Sequence, residues 1–81
     1  VANTAQNNPF ENIELEEAKQ TLAKAINILP DKEKMVVTLY YYEELTLKEI
    51  SLILKLSEAR VSQLHTKAVI RLKGALANKT I

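Results

Sequence analysis

A run of small and polar residues between positions 59 and 67 offers hydrogen-bonding groups and a positive charge along one side of a predicted helix. Its members are Ala59, Ser62, Gln63, Thr66 and Lys67. A glutamine amide can donate to and accept from the edge of an adenine, and a lysine ammonium can pair with a phosphate. Such side chains on one helix face are typical of segments that enter the major groove of DNA. The predicted chemistry is therefore recognition of nucleic acid, not catalysis.

Two short helices separated by a tight break must position this face. Thr46 followed by Glu49 is a capping box, which predicts that the third helix begins at the residue after the threonine. The turn is predicted at residues 54–56, and Ser57 is expected to cap the fourth helix. Lys55 stands where many helix-turn-helix motifs have glycine, so a left-handed backbone there would be strained. The third helix is expected to pack through Leu47, Ile50, Ile53 and Leu54.

The fourth helix is predicted over about residues 58–77. Its apolar stripe at helical spacing consists of Val61, Leu64, Ala68, Leu72, Ala75 and Leu76. Directly opposite the stripe lie Ala59, Gln63, Thr66 and Ile70. This outer face is flanked by Arg60, Lys67 and Arg71 on one side and by Ser62 and Lys73 on the other. Cations beside hydrogen-bonding groups are what a helix needs to read bases while phosphates hold it in register.

The net charge of +1 conceals two halves of opposite sign. Residues 1–45 carry four lysines and eight acidic residues, a net charge of −4, whereas residues 46–81 carry seven basic and two acidic residues, a net charge of +5. An anionic duplex would be attracted to the second half and repelled by the first. The basic half contains the predicted helix-turn-helix.

The first half of the chain predicts two further helices and hence an all-α, four-helix domain over residues 12–81. Residues 1–11 show no helical period and are expected to be a flexible linker remnant. The first helix is predicted over residues 13–29 and the second over 32–42, capped by Asp31. Core packing is the ordinary interpretation of the tyrosines in the second helix. The alternative is a surface for a protein partner, with Tyr40 and Tyr41 as its binding residues.

Composition argues against an enzyme, a cofactor or a metal site. The chain has one histidine, no cysteine and one glycine. His65 borders the apolar stripe, which favours a structural histidine over a general base. No apolar run approaches the roughly 18 residues of a membrane span, and the first residues lack the features of a signal peptide. A soluble cytoplasmic protein is therefore expected.

Four short motifs stand out along the chain: Leu29-Pro30-x-x-Glu33-Lys34, the block from Tyr42 to Ile50, Arg60-Val61-Ser62-Gln63-Leu64, and Lys67-Ala68-x-x-Arg71-Leu72. Together they resemble region 4 of the sigma-70-type sigma factors, which direct bacterial RNA polymerase to promoters. The resemblance covers about residues 26–76 and is greatest to the flagellar or motility subgroup. It implies that the fourth helix reads the −35 promoter element, that the domain docks on the polymerase β-subunit flap, and that an anti-sigma factor can capture it.

The candidate DNA-binding residues combine the helical wheel with this resemblance. They are Thr46, Lys48, Ser57, Glu58, Ala59, Arg60, Ser62, Gln63, Thr66 and Lys67. Gln63 is the best candidate for a base contact, and Arg60 for a phosphate or guanine contact. Glu58 and Ala59 differ from the Arg-Glu pair common in housekeeping members, so a different −35 sequence is expected.

Two alternatives are open at this point. The DNA-binding output domain of LuxR-type response regulators has a similar Leu-Thr-x-x-Glu-Ile pattern, but such domains dimerise, whereas this domain is expected to be monomeric alone. The segment Arg60-Val61-Ser62-Gln63 favours the sigma interpretation. From another class, the domain could be chiefly a protein-interaction module in which the tyrosine surface binds an anti-sigma factor.

Overall fold

Four α-helices follow one another in the computed structural model, which describes residues 9–80 and the side chains of residues 12–78. They are α1 (Pro9–Asn27), α2 (Asp31–Val37), α3 (Leu47–Leu54) and α4 (Glu58–Thr80), and a π-helical turn (Thr38–Tyr42) continues α2. The predicted all-α fold of four helices is confirmed. The part of the predicted linker at residues 1–8 lies outside the described residues.

Helix α1 begins at Pro9, four residues earlier than predicted, so residues 9–11 of the expected linker remnant are helical. Proline suits the first helical position because its fixed φ matches the helix and its missing N–H would have no partner there. At the other end, the Lys34 Nζ donates to the Asn27 Oδ1 at 2.9 Å and to the Asn27 carbonyl at 3.4 Å. This contact joins the end of α1 to α2.

The prediction that Asp31 caps α2 is wrong. Pro30 occupies the capping position in an extended conformation, no side chain caps the helix, and Asp31 is the first helical residue. The carboxylate therefore lies inside the first turn, where the helix dipole favours a negative charge, and it does not accept a hydrogen bond from a backbone N–H of that turn.

The π-helical turn decides the positions of the three tyrosines. It is wider than an α-helical turn, as the bond from the Glu43 N–H to the Thr38 carbonyl at 3.2 Å indicates. Tyr40 is half-buried against the core, whereas Tyr41 and Tyr42 are 54% and 68% exposed. Core packing is thus wrong for Tyr41 and Tyr42. The Tyr40 ring contacts the core but is only partly covered, so its place in a protein-binding surface stays a prediction.

Two buried clusters hold α4 against the other helices. The larger joins α2, α3 and α4 through Val36, Ile50, Val61 and Leu64, and the smaller contains Leu29, Val37 and Ala68. The predicted apolar stripe of α4 is therefore confirmed: its first three members are buried and the other three are half-buried. Contacts on this whole stripe leave the opposite side of α4 facing outward.

The expectation that Ile53 belongs to the core is wrong, since it is 56% exposed. Helix α3 packs through Ile50 and Ser51, which are buried, with Leu47 and Leu54 half-buried beside them. At 100° per residue, Ile53 lies about 110° from the centre of that face. A helix of eight residues contacts its neighbours with one face only, so Ile53 is left at the surface.

Lys55 adopts the left-handed conformation that its position in the turn suggested, with φ 59° and ψ 43°. We expect Lys55→Gly to raise the free energy of unfolding by about 0.5–1 kcal/mol, because glycine has no Cβ to clash in this region. Urea denaturation measures the change. Lys55→Ala removes the same charge but keeps a Cβ, so equal stabilisation by alanine would assign the effect to charge instead of backbone strain.

Candidate nucleic-acid interface

The start of α3 is fixed by the predicted capping box. The Thr46 hydroxyl oxygen accepts from the Glu49 N–H at 3.1 Å, and the Glu49 carboxylate accepts from the Thr46 N–H at 2.8 Å. This local geometry, confirmed as predicted, holds the exposed Lys48 at the first turn of the helix. The Glu49 carboxylate is bonded to its own cap, so one of the two acidic side chains in the basic half is already engaged.

The break between α3 and α4 is short and well bonded. Leu56 donates its N–H to the Ser51 carbonyl at 3.0 Å, and Ser51 is a buried small residue whose hydroxyl donates to the Lys48 carbonyl. Ser57 then caps α4 as predicted, because its hydroxyl oxygen accepts from the Arg60 N–H at 3.0 Å. These bonds fix how α4 leaves the turn, and they give the pair of helices the predicted helix-turn-helix arrangement.

The outer face of α4 is open to solvent. Its exposed members are Ser57, Glu58, Ala59, Ser62, Gln63, Thr66, Lys67 and Ile70. Within the described part of the chain, the side chains of Gln63, Thr66 and Lys67 make no hydrogen bond or ion pair. Their donors and acceptors are therefore free for an external partner. The structure brings together all the candidate residues of α4 on this side, with Arg60 half-buried at its edge.

Arg71, one of the cations beside the outer face of α4, forms an ion pair with a residue of α2. The Arg71 Nε lies 2.9 Å from the Glu33 Oε1, and the Glu33 side chain is only 5% exposed. Sequence reasoning placed Arg71 beside Lys67 on the outer flank but did not pair it with a residue of α2. The available signal was a glutamate at helical spacing from the buried Val36 and Val37, which predicts that its carboxylate faces the interior.

Charge is distributed to favour an anion at α3 and α4. Exposed or half-buried cations unpaired within the described residues are Lys48, Lys55, Arg60, Lys67 and Lys73. Glu58 is the remaining acidic side chain of these two helices, and it occupies the first turn of α4, where the dipole favours it. Exposed Glu14, Glu16 and Glu17 lie on α1, so an anionic duplex would be repelled there.

An apolar groove of about 380 Å³ lies between α1, the π-helical turn and α4. We call it the tyrosine groove; its walls are Leu22, Ile26, Val37, Tyr41, Tyr42, Val69, Leu72, Lys73 and Leu76. Tyr41 also reaches α4, because its hydroxyl lies 2.9 Å from the His65 Nε2. The half-buried His65 thus contacts the tyrosines at the edge of the core. The sequence offered a tyrosine surface only as the alternative to core packing, and it did not indicate the groove beside it.

The described residues offer neither a metal site nor a membrane span. No group of three or more histidine, cysteine or carboxylate side chains there could hold a metal ion. Over the same residues, no helix is both long and apolar enough to cross a membrane.

Similarities to a protein family, to individual proteins and to a solved structure agree with one another. The chain matches the family described as Sigma-70, region 4, over residues 25–74. It is 49% identical over 71 residues to RNA polymerase sigma factor FliA of Yersinia enterocolitica, covering 88% of this chain and 31% of that protein. It is 48% identical over 68 residues to RNA polymerase sigma-D factor of Bacillus subtilis, covering 84% of this chain and 27% of that protein.

Among solved structures, the fold is similar to a chain in the cocrystal structure of the flagellar sigma/anti-sigma complex Sigma-28/FlgM. The TM-score is 0.75 at 43% sequence identity, over 84% of this chain and 29% of that chain. The chain thus spans about a third of the length of these relatives. These similarities confirm the family resemblance predicted from the sequence.

Proposed function

This chain belongs to the sigma-70 region 4 family, and from that membership we propose that it recognises the −35 element of promoters as part of a sigma factor of bacterial RNA polymerase. The observation that carries the proposal is the outer face of α4, where free hydrogen-bonding side chains lie between cations and opposite an apolar stripe that is buried or half-buried. The sigma-70 family is not an enzyme family. The proposed role is therefore binding without catalysis, without a cofactor, in the cytoplasm where the polymerase acts.

In this proposal α4 enters the major groove and its side chains divide between bases and backbone. Gln63 reads a base edge through its amide, because a glutamine can bond both N6 and N7 of adenine. Arg60 and Lys67 flank it and neutralise phosphates. Thr46, Lys48 and Ser57 lie at the starts of α3 and α4, where backbone N–H groups and side chains can contact the sugar-phosphate backbone.

The remaining candidates would set which sequence is read. Ala59 is exposed in the first turn of α4 and offers a methyl group, while Ser62 and Thr66 offer hydroxyls. Glu58 and Ala59 stand where housekeeping members commonly have Arg-Glu. The alanine side chain at position 59 has no hydrogen-bond acceptor and cannot bond the N4 amino group of cytosine as a glutamate can, so the proposed element differs from the housekeeping one.

Protein docking is the second part of the proposal, and the tyrosine groove supports it. A partly open apolar groove with exposed Tyr41 and Tyr42 beside it can bury the apolar face of a partner helix. We propose that the β-subunit flap of the polymerase docks on the surface of α1, the π-helical turn and α4. The similarity to a sigma chain solved with FlgM supports capture by an anti-sigma factor as well. The family match sets aside the LuxR-type alternative.

Transcription by core polymerase and the full-length parent protein tests both parts. Two promoters that differ only in the −35 element should differ in transcript yield by about tenfold or more, since each mismatched base pair costs about 1–3 kcal/mol. Core polymerase without its flap tip should lose this difference while retaining −10-dependent initiation. Equal transcription from both promoters by the intact polymerase would contradict the proposed recognition.

A further inference from the structure

Arg71 differs from the other cations of α4 because a carboxylate of another helix already holds it. The Arg71 Nε and the Glu33 Oε1 are 2.9 Å apart, and the two residues are separated by 38 positions in the sequence. The Glu33 side chain is 5% exposed and that of Arg71 is 57% exposed. Among the described residues this is the one ion pair that joins two helices, since the other, between Lys19 and Glu16, lies within α1.

The position of Arg71 on the helix is nevertheless that of a phosphate-binding residue. Arg60, Lys67 and Arg71 lie on one flank of α4, and the last two are neighbours at a spacing of four residues. Arg71 is therefore about 6 Å further along the axis than Lys67. Position and charge alone would predict that both cations contact the same DNA strand.

The buried carboxylate makes release of Arg71 unfavourable. A carboxylate removed from water needs a paired charge or several hydrogen bonds, and leaving it unpaired is strongly destabilising. Arg71 is the hydrogen-bonded partner of Glu33 among the described side chains. A phosphate contact that drew Arg71 away from Glu33 would exchange one ion pair for another and leave Glu33 buried without its partner.

We infer that Arg71 is a positioning residue: it locks α4 to α2 through Glu33, and Lys67 is the last cation of this flank that binds phosphate. The apolar stripe presses α4 onto the core but has little directional preference, whereas an ion pair to a fixed buried carboxylate opposes rotation and sliding of the helix. A rotation of α4 would turn Gln63 away from the base edges. The inference rests on the proposed DNA binding.

The salt dependence of DNA binding separates a phosphate contact from a positioning role. The unsubstituted 81-residue chain first selects a preferred duplex from a random pool. This chain and its variants are then titrated with the selected duplex and with a scrambled duplex, and fluorescence anisotropy measures binding. Lys67→Ala should lower the slope of log affinity against log salt by about 0.9. Arg71→Gln should leave this slope unchanged. It should lower the preference for the selected duplex by roughly fivefold, because a misplaced α4 loses part of the discrimination that one base contact provides.

A second variant is needed because Arg71→Gln leaves a buried carboxylate unpaired and can prevent folding, which circular dichroism detects. This second variant is Glu33→Gln, which keeps the shape of the side chain and removes the charge that holds Arg71. We expect the same loss of preference, with a slope equal to or steeper than that of the parent because Arg71 is then free to reach phosphate. An unchanged preference in Glu33→Gln would overturn the inference.

The proposed function and the inference fail in different ways. If Lys67→Ala and Arg71→Gln lower the slope equally, Arg71 is a phosphate contact and only the inference is overturned. If the parent selects no duplex, or the Lys67→Ala slope is unchanged, the proposed DNA interface is wrong and the inference falls with it.

Discussion

Alanine in place of Gln63 is expected to reduce the preference for the −35 element by between about fivefold and a hundredfold, the range of one good two-bond contact to a base. The side chain is exposed and has no hydrogen-bond partner within the described residues. Its removal therefore leaves the fold of the chain intact, so the loss should fall on discrimination and not on stability. Transcription by core polymerase and the full-length parent, from promoters with and without the −35 element, measures it.

Gln20→Ala is the matched control for this substitution. Gln20 is an exposed glutamine on α1, about 160° around that helix from Leu22 of the tyrosine groove, so the same atoms are removed outside both the proposed DNA interface and the groove. We expect no change in promoter preference for this variant. Equal preference in the Gln63→Ala variant and the parent would remove Gln63 from the base-reading residues, even if the chain still bound DNA through its cations.

Ile50→Ala should have the largest effect on stability, a loss of about 2–5 kcal/mol in the free energy of unfolding. Ile50 is fully buried and packs in one cluster with Val36, Val61 and Leu64, which come from α2 and α4. Its truncation leaves a cavity where three helices meet. A domain of this size has a total stability of about 4–12 kcal/mol, so this variant loses a large share of it. Urea denaturation, monitored by circular dichroism, gives the value.

Leu52→Ala controls for the loss of aliphatic atoms from the same helix. Leu52 is 70% exposed, and a surface substitution of this kind is expected to change stability by no more than about 0.5 kcal/mol. Similar losses in the two variants would mean that α3 is not anchored through Ile50. Such a result would also contradict the packing that positions α4.

Short-range physics explains most of what the sequence predicted correctly. The Thr46–Glu49 capping box and the Ser57 cap each involve groups three residues apart, so their bonds depend on residue type and hardly on the rest of the fold. The outer and inner sides of α4 follow from its period in the same way. Gln63 could therefore be predicted to lie opposite Val61 before any contact between helices was known.

Features that depend on an assembled neighbour were predicted poorly or not at all. Ile53 fits the apolar period of α3, but which side of a short helix is covered depends on where the other helices approach it. The surface positions of Tyr41 and Tyr42 follow from a widened turn, which the apolar pattern of this segment does not indicate. The same holds for the groove that these tyrosines form with α1 and α4.

The sequence by itself determined the helical fold, the two helix caps, the outward face of α4 and the sign of charge around it, because each depends on local spacing or on composition. Only the tertiary structure decided that Arg71 pairs with Glu33 while Lys67 stays free. Both cations lie on the same flank of α4. Their roles differ because α2 brings the buried Glu33 carboxylate next to Arg71. The distance between Arg71 and Glu33 is set by the packing of helices that are far apart in the chain.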